Sequence, residues 1–338
     1  MFTKELWEKY ADVVAWSLFE AMKTAGGKYT PGNIVIIHCS TDSLLLAETV
    51  CKKLIAKGLK SIVKNNNASR LFIVDKREGY DKYGWTWCIV ATEAQAQQAG
   101  LTVEEYEAEI IKSCYLDQPN PVEAWKKVSA EAAEIRHWLE TLKVDRLCVE
   151  SANIDLRITI GRNRKWMGIN GYNMPSFEIY TSPDWRGTSG HYFANTQSLH
   201  DGQLARDVKL VFRQGEVIKA SAAEGEEFLK SQLAILGARR LGEFSLTDKR
   251  FSPISKFMAN TLFDENVGQP NGNCHIALGY SLSHTYSGYK RLFNLLKKKQ
   301  GFNESNIHWD MINTEPKRVI AYLSGAKVVI YEDGQFRY

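Results

Sequence analysis

Residues 305–316 read "SNIHWDMINTEP", and their alternation decides what kind of fold carries the chemistry of this chain. In an extended strand successive side chains point to opposite faces, so positions i and i+2 share one face. Ile307, Trp309 and Met311 then fall on an apolar side, and Asn306, His308 and Asp310 on a polar one. Taken alone, the pair of His308 and Asp310 reads as the polar edge of a surface strand. Further ligands elsewhere in the chain are what turn such a pair into a metal site.

Around this strand the second half of the chain keeps the same two-residue period. "NIDLRITI" places Ile154, Leu156, Ile158 and Ile160 on one face. "VKLVFRQGEVIKASA" reads as a hairpin turning at Gln-Gly, and "AKVVIYEDGQFRY" as another turning at Asp-Gly. Between the two, "AAEGEEFLKSQLAILG" predicts a helix that stops at Gly237.

The first half has a different rhythm. An amphipathic opening helix is followed by the buried strand "NIVIIHC" after a Pro-Gly turn, and by the helix "SLLLAETVCKKLIAKG" with a glycine near its C-cap. "KSIVK" and "RLFIVD" are short strand candidates, and "PVEAWKKVSAEAAEIRHWLETLK" is a long helix. Strand–helix–strand alternation predicts an α/β layer. The expected architecture is an α/β N-terminal domain over residues 1–145, followed by a mostly antiparallel α+β metal-binding domain over 146–338. No G-x-G-x-x-G or Walker sequence follows the first strand, so nucleotide binding has no local support there.

Composition narrows the class. The 338 residues are 24% charged and 44% hydrophobic, as in an ordinary globular protein large enough for two domains. A net charge of +4 gives no push toward nucleic acid, and the basic runs "GRNRKW" and "KRLFNLLKKKQ" read as solvated faces. No apolar run reaches about 18 residues, so no membrane partner is expected. The N-terminus lacks a signal-peptide core, and six scattered cysteines form no C-x-x-C, which predicts a cytoplasmic location.

Beyond His308 and Asp310, four side chains sit in marked contexts. Glu178 stands inside the strand "MPSFEIYTSPD", and Glu243 follows a helix in "GARRLGEFSL". Glu265 belongs to a loop and His275 to an apolar strand in "LFDENVGQPNGNCHIALG". Each alone has an ordinary reading: Glu243 as a partner of Arg239 or Arg240, His275 as a satisfied core histidine, Glu265 as a solvated loop carboxylate. Together, two imidazoles and several carboxylates suit divalent zinc, cobalt or manganese, and a carboxylate that bridges two metals serves hydrolysis.

Segments "DLRITI", "PSFEIYTSPDWRGTSG", "GARRLGEFSL", "LFDEN", "CHIALG" and "IHWDMI" resemble, in that order, the aminopeptidase T family of metallopeptidases. "EKYADVV" and "YTPGNIVIIH" extend the resemblance more weakly into the first half. The resemblance implies metal ligands at Glu178, Glu243, Glu265, His275, His308 and Asp310, with Glu243 in the bridging position. It also implies two divalent ions, peptide substrates with a free N-terminus, and a homodimer. Members of the family are typically longer, "VGQPNGN" here separates two motifs that lie almost adjacent in them, and the family's catalytic tyrosine position, seven residues after the histidine, is Leu282. Tyr280 shares an extended-chain face with Leu282, and Gly279 eases a register shift, so Tyr280 is the candidate donor hydroxyl. His284 and Tyr286 fall in the following loop.

These readings converge on a two-metal aminopeptidase with Glu178, Glu243 and Tyr280 as catalytic groups. Two alternatives stay open: a mononuclear iron(II) ring-cleaving dioxygenase using His275, His308 and Asp310, and a non-catalytic metal-binding relative.

Overall fold

The computed structural model describes residues 2–66, 71–75 and 84–338; Arg70 of the predicted strand "RLFIVD" lies outside them. The chain divides into two compact units, Met1–Glu131 with Ile169–Ser176, and Ala132–Gly168 with Phe177–Tyr338. Helices and mostly antiparallel sheets make up the described residues.

In the first unit α1 (Lys4–Thr24) begins where the Thr3 side chain accepts from Leu6 N, and it buries Tyr10, Val13, Val14 and Leu18. β1 (Ile34–Cys39), α2 (Leu44–Ala56) and β2 (Lys60–Asn65) form the expected strand–helix–strand unit, with β1 and β2 parallel. β3 (Leu71–Asp75) and β4 (Trp85–Cys88) then add antiparallel strands, so the sheet order is β2-β1-β3-β4 and the layer is mixed. α3 (Glu93–Ala99) and α4 (Val103–Ser113) follow, the latter opened by a Thr102/Glu105 capping box. α5 (Pro121–Leu142) is the predicted long helix.

The second unit takes over within α5, at Ala132, and continues with the antiparallel pair β5 (Arg146–Ser151) and β6 (Asp155–Thr159). Ile154, Leu156, Ile158 and Ile160 are all buried, as their alternation requires. Next come β7 (Glu178–Thr181), β8 (Asp184–Ala194), β9 (Ser198–His200) and β10 (Gln203–Ala205). β11 (Val208–Arg213) and β12 (Glu216–Ser221) form the first hairpin, with φ of 51° at Gln214 and 86° at Gly215. Positive φ at both central residues matches the twist of the flanking strands.

After α6 (Glu226–Leu233) come β13 (Leu241–Thr247), the short α7 (Thr261–Asp264), β14 (Asn273–Gly279), α8 (Phe293–Leu296) and β15 (His308–Asn313). β16 (Lys317–Leu323), β17 (Ala326–Glu332) and β18 (Gln335–Phe336) close the chain, the last two joined at Asp333-Gly334. An eight-stranded sheet runs β12-β11-β8-β6-β5-β16-β17-β18, and a four-stranded one β15-β14-β13-β7.

Two expectations change. α6 ends at Leu233 rather than at Gly237; Gly237 (φ 78°) instead turns against Glu304, whose carbonyl oxygen would sit 2.2 Å from an added Cβ. "GRNRKW" is not wholly a solvated face. Arg164 stacks on Phe302 with its Cζ 3.6 Å from the ring centroid, and donates to the Ser182 and Gln300 carbonyls. All six cysteines are free thiols, and no described helix is long and apolar enough to cross a membrane.

Candidate metal centre

The four-stranded sheet of the second unit has two chemically distinct faces. Ile179, Phe244, Leu246, Ile276, Leu278, Trp309 and Met311 alternate onto one face and are buried. Glu178, Glu243, Ser245, His275 and Asp310 alternate onto the other and are buried as well. The register aligns Ser245 with His275, Ala277 with Asp310, Gly279 with His308, and Thr247 with Glu178. Four strands that are far apart in sequence thereby bring their polar residues onto one patch.

A bulge between Leu241 and Glu243 sets the register of β13. Gly242 occupies it because a Cβ there would stand 2.3 Å from the Tyr280 carbonyl oxygen. That same oxygen accepts a hydrogen bond from His308 Nδ1 at 2.9 Å. His275 Nδ1 likewise donates to the Glu265 carbonyl oxygen at 3.1 Å. A carbonyl only accepts, so in both neutral rings the lone pair belongs to Nε2.

Both lone pairs converge on carboxylates. His275 Nε2 lies 3.3 Å from Glu178 Oε2 and 3.7 Å from Glu243 Oε1, yet neither oxygen stands where a ring N–H would donate to it. His308 Nε2 lies 3.1 Å from Glu243 Oε2 and 3.7 Å from Asp310 Oδ1. Glu243 thus stands between the imidazoles and turns one oxygen toward each. Ligand atoms of Glu178, Glu243 and His275 all lie within 4.8 Å of one another.

Glu265 is buried at the C-cap of α7, not solvated. Its carboxylate accepts from Asn266 Nδ2 at 3.4 Å and feels the charges of Glu178, Asp310 and Glu243. The intervening "VGQPNGN" does not displace it, because Asn273 Nδ2 donates to the carbonyls of Glu265 (3.1 Å) and Val267 (2.5 Å) and closes the excursion at its base. The ordinary readings of other candidate ligands give way too. Arg240 pairs with Glu216 rather than with Glu243, and the Nε2 of His275 is an unsatisfied buried atom. Asp310 is buried, and only His308 keeps 29% of its side chain exposed.

Charge balance points the same way. Burial raises Glu178, and raises Glu265 still further with help from the neighbouring carboxylates. Burial opposes the charge on Glu243 as well, but the two imidazoles outweigh it and bring that carboxyl down to about 2. His308 is pushed up to about 9, since Glu243 and Asp310 outweigh its burial, and His275 is raised further. A cluster that draws protons this strongly is short of positive charge. A divalent cation held among these nitrogens and oxygens would supply it and would end the conflict between lone pairs and carboxylates. Imidazoles held through Nδ1 by backbone carbonyls are the usual support for metal-bound Nε2.

Several supporting residues carry no ligand signal in the sequence. Ser245 Oγ donates to Glu178 Oε2 at 3.3 Å. Asn266 accepts from Phe177 N at 2.5 Å while holding Glu265, and so joins the supports of two candidate ligands. Asp264 accepts from Met258 N (2.7 Å) and Asn260 N (2.8 Å) and fixes the entry to α7. Tyr280 itself is 41% exposed, and what it turns toward the cluster is its carbonyl.

The family model for thermophilic metalloproteases (M29) matches residues 62–336. This chain belongs to that family. Its M29 membership implies a divalent metal, and the residues above fit one. Among M29-type relatives it is 27% identical to aminopeptidase PepS of Streptococcus thermophilus, over 68% of this chain and 57% of PepS. It is 27% identical to aminopeptidase AmpS of Bacillus subtilis (strain 168), over 76% and 67%, and 29% identical to aminopeptidase 2 of Geobacillus stearothermophilus, over 69% and 59%. The chain therefore spans only about three-fifths of the first of these relatives.

Two solved structures share the fold of this M29 chain. Wild-type AmpT from Thermus thermophilus superposes with a TM-score of 0.64 at 19% identity, covering 96% of this chain and 80% of that one. 2,5-Dihydroxypyridine dioxygenase from Pseudomonas putida KT2440 superposes with a TM-score of 0.51 at 12% identity, covering 96% of both. A fold common to both assigns no chemistry, which has to be argued from the site.

Proposed function

We propose that this chain is a metal-dependent aminopeptidase that removes N-terminal residues from peptides. The observation that carries the reading is Glu243, one oxygen facing His275 Nε2 and the other facing His308 Nε2. Such a carboxylate is suited to bridge two divalent ions, with Glu178 and His275 on one side and His308 and Asp310 on the other. Glu265 completes the set. Zinc, cobalt or manganese at this site supplies Lewis acidity that lowers the pKa of water from about 15.7 toward about 7 and polarises a carbonyl. The chain's own residues do the rest. The carboxylates fix the free α-amine of the substrate, and Glu178 or Glu265 carries the proton toward the leaving amine. Tyr280 enters through its carbonyl, which orients His308, and its hydroxyl is the donor that the sequence offers. The reading includes a cytoplasmic homodimer, and sedimentation at micromolar concentration showing only monomer would remove the dimer.

The iron(II) triad reading gains less support. His275 stands nearest Glu178 (3.3 Å) and His308 nearest Glu243 (3.1 Å), so both imidazoles point at glutamates that a two-histidine, one-aspartate triad does not use. A single experiment separates the alternatives. Leucine p-nitroanilide with a free α-amine should be cleaved and its N-acetyl form should not, in protein carrying two zinc, cobalt or manganese ions per chain by elemental analysis. Equal cleavage of both forms, or one iron per chain, would overturn the proposal.

A further inference from the structure

The two basic runs that read as solvated faces in the sequence meet in the fold of the second unit. Arg162 of "GRNRKW" and Lys299 of "KRLFNLLKKKQ" line one cleft of about 630 Å³, together with Asp145, which lies between α5 and β5. All three side chains are exposed. Among the described residues none of the three is held in an ion pair, with one another or with a neighbour.

The walls around them are fixed. Arg186 grips Asp184 with two parallel bonds, Nε to Oδ1 at 2.8 Å and Nη2 to Oδ2 at 2.5 Å, and reaches on to the Lys299 carbonyl at 3.1 Å. Arg164 donates to the carbonyls of Arg162 (2.8 Å), Gln300 (2.7 Å) and Ser182. Asn163 Nδ2 adds a bond to Gln300 Oε1 at 3.3 Å. The two basic runs are thereby tied to each other through one guanidinium.

That guanidinium is short of a counter-ion. It meets three carbonyls and the Phe302 ring but no carboxylate among the described residues, and burial pulls its pKa down to about 10. It lies behind Gly161, a wall residue at φ 88°, where a Cβ would stand 3.6 Å from Arg164 Cζ. The cleft thus backs onto a buried cation that carbonyls only partly offset.

Arg186 and Asp184 neutralise one another, which leaves two cations and one anion on the rim. The ligand that mirrors this pattern carries one ammonium and two carboxylates, and Leu296 offers an apolar wall to the methylenes between them. A simple inorganic anion would bring its charge against Asp145. We propose that this cleft binds an acidic α-amino acid, with Asp145 taking its ammonium group and Arg162 and Lys299 its two carboxylates. The cleft shares no residue with the metal cluster, and the proposal stands apart from the aminopeptidase reading.

Calorimetry on the full-length chain tests this with L-glutamate, L-glutamine and glutarate as probes. The wild type should bind glutamate. Glutamine, one carboxylate fewer, and glutarate, without the ammonium, should each bind at least tenfold more weakly. Arg162→Gln and Lys299→Gln should each weaken glutamate binding at least tenfold, as loss of a charge-assisted hydrogen bond does, and Arg162→Lys should recover most of it. Asp145→Asn should weaken glutamate but not glutarate. Glu243→Gln should bind glutamate as the wild type does. No heat with millimolar glutamate, or equal affinity in the wild type and the Arg162→Gln/Lys299→Gln double variant, would overturn the proposal. So would a loss in Glu243→Gln with none in Arg162→Gln, which would put the ligand at the metal cluster. Inorganic phosphate bound more tightly than glutamate would reduce the cleft to a simple anion site and overturn it too.

Discussion

His38 and His275 each interrupt an apolar strand, "IVIIHC" in β1 and "NCHIALG" in β14, and the two sheets put them to different use. His38 Nδ1 takes a hydrogen from the Asn66 side-chain amide at 3.1 Å, and burial with Lys64 nearby lowers its pKa. His275 Nδ1 gives its hydrogen to a carbonyl, which leaves the lone pair on Nε2 facing Glu178 and Glu243. The local sequence around the two is alike; the partner at Nδ1 and the face across the sheet are not. A histidine's role here is decided by what the neighbouring strands present, not by its own strand.

The largest test of this contrast removes the shared carboxylate. Glu243→Gln is nearly isosteric but can offer an oxygen to only one imidazole, so turnover of leucine p-nitroanilide should be abolished with the fold intact by circular dichroism. Retention of more than about a tenth of activity, roughly 1.4 kcal/mol of barrier, would place the bridge elsewhere. A smaller effect sharpens the comparison directly. His275→Gln should bind zinc at least about tenfold more weakly in competition with a chelator, the least expected when support for a ligand is lost. His38→Gln should bind it as the wild type does. Equal losses in both would erase the distinction drawn between the two sheets. The smallest effect belongs to Ser245→Ala, which removes one long hydrogen bond to Glu178. A net hydrogen bond of about 0.5–1.5 kcal/mol predicts a fall in kcat of roughly two- to tenfold. A hundredfold fall would make Ser245 more than a support.

Much of the site was legible because strand alternation is local. His308 and Asp310 against Trp309 and Met311, and Glu178 before an apolar neighbour, follow from a period of two. Both hairpins announced themselves at Gln214-Gly215 and Asp333-Gly334 for the same reason. What could not be read is which strands lie side by side: β7 pairs β13, past the five strands and the helix that intervene in the chain, and β14 sits between β13 and β15. Pairing of that kind is set by burial of the whole face, which no window of sequence contains. The bulge at Gly242 was hidden likewise, since it is required by the carbonyl of Tyr280, the residue that follows β14. Gly237 misled because glycine after a helix normally marks its end, whereas here a distant carbonyl made the demand. Asn266 stood in plain view in "LFDEN", but a side-chain amide signals nothing until its partners at Phe177 and Glu265 are known.

The side-chain amide of Asn273 bears on how this chain tolerates changes in length. By tying the carbonyls of Glu265 and Val267 to the first residue of β14, it lets the residues between loop out without moving either end. Only Pro270, at the tip of 268–272, is exposed, while Gly268 and Gly272 are buried and Gly268 N donates to the Ile254 carbonyl. An added or lost residue is therefore absorbed at that tip alone, at a cost that grows only slowly with loop size. The same event a few positions on, inside β14, shifts the register by one and exchanges the two faces of the strand, sending His275 toward the core and Ile276 and Leu278 toward the polar face. Evolutionary drift in chain length is thus permitted on one side of a single amide and forbidden on the other.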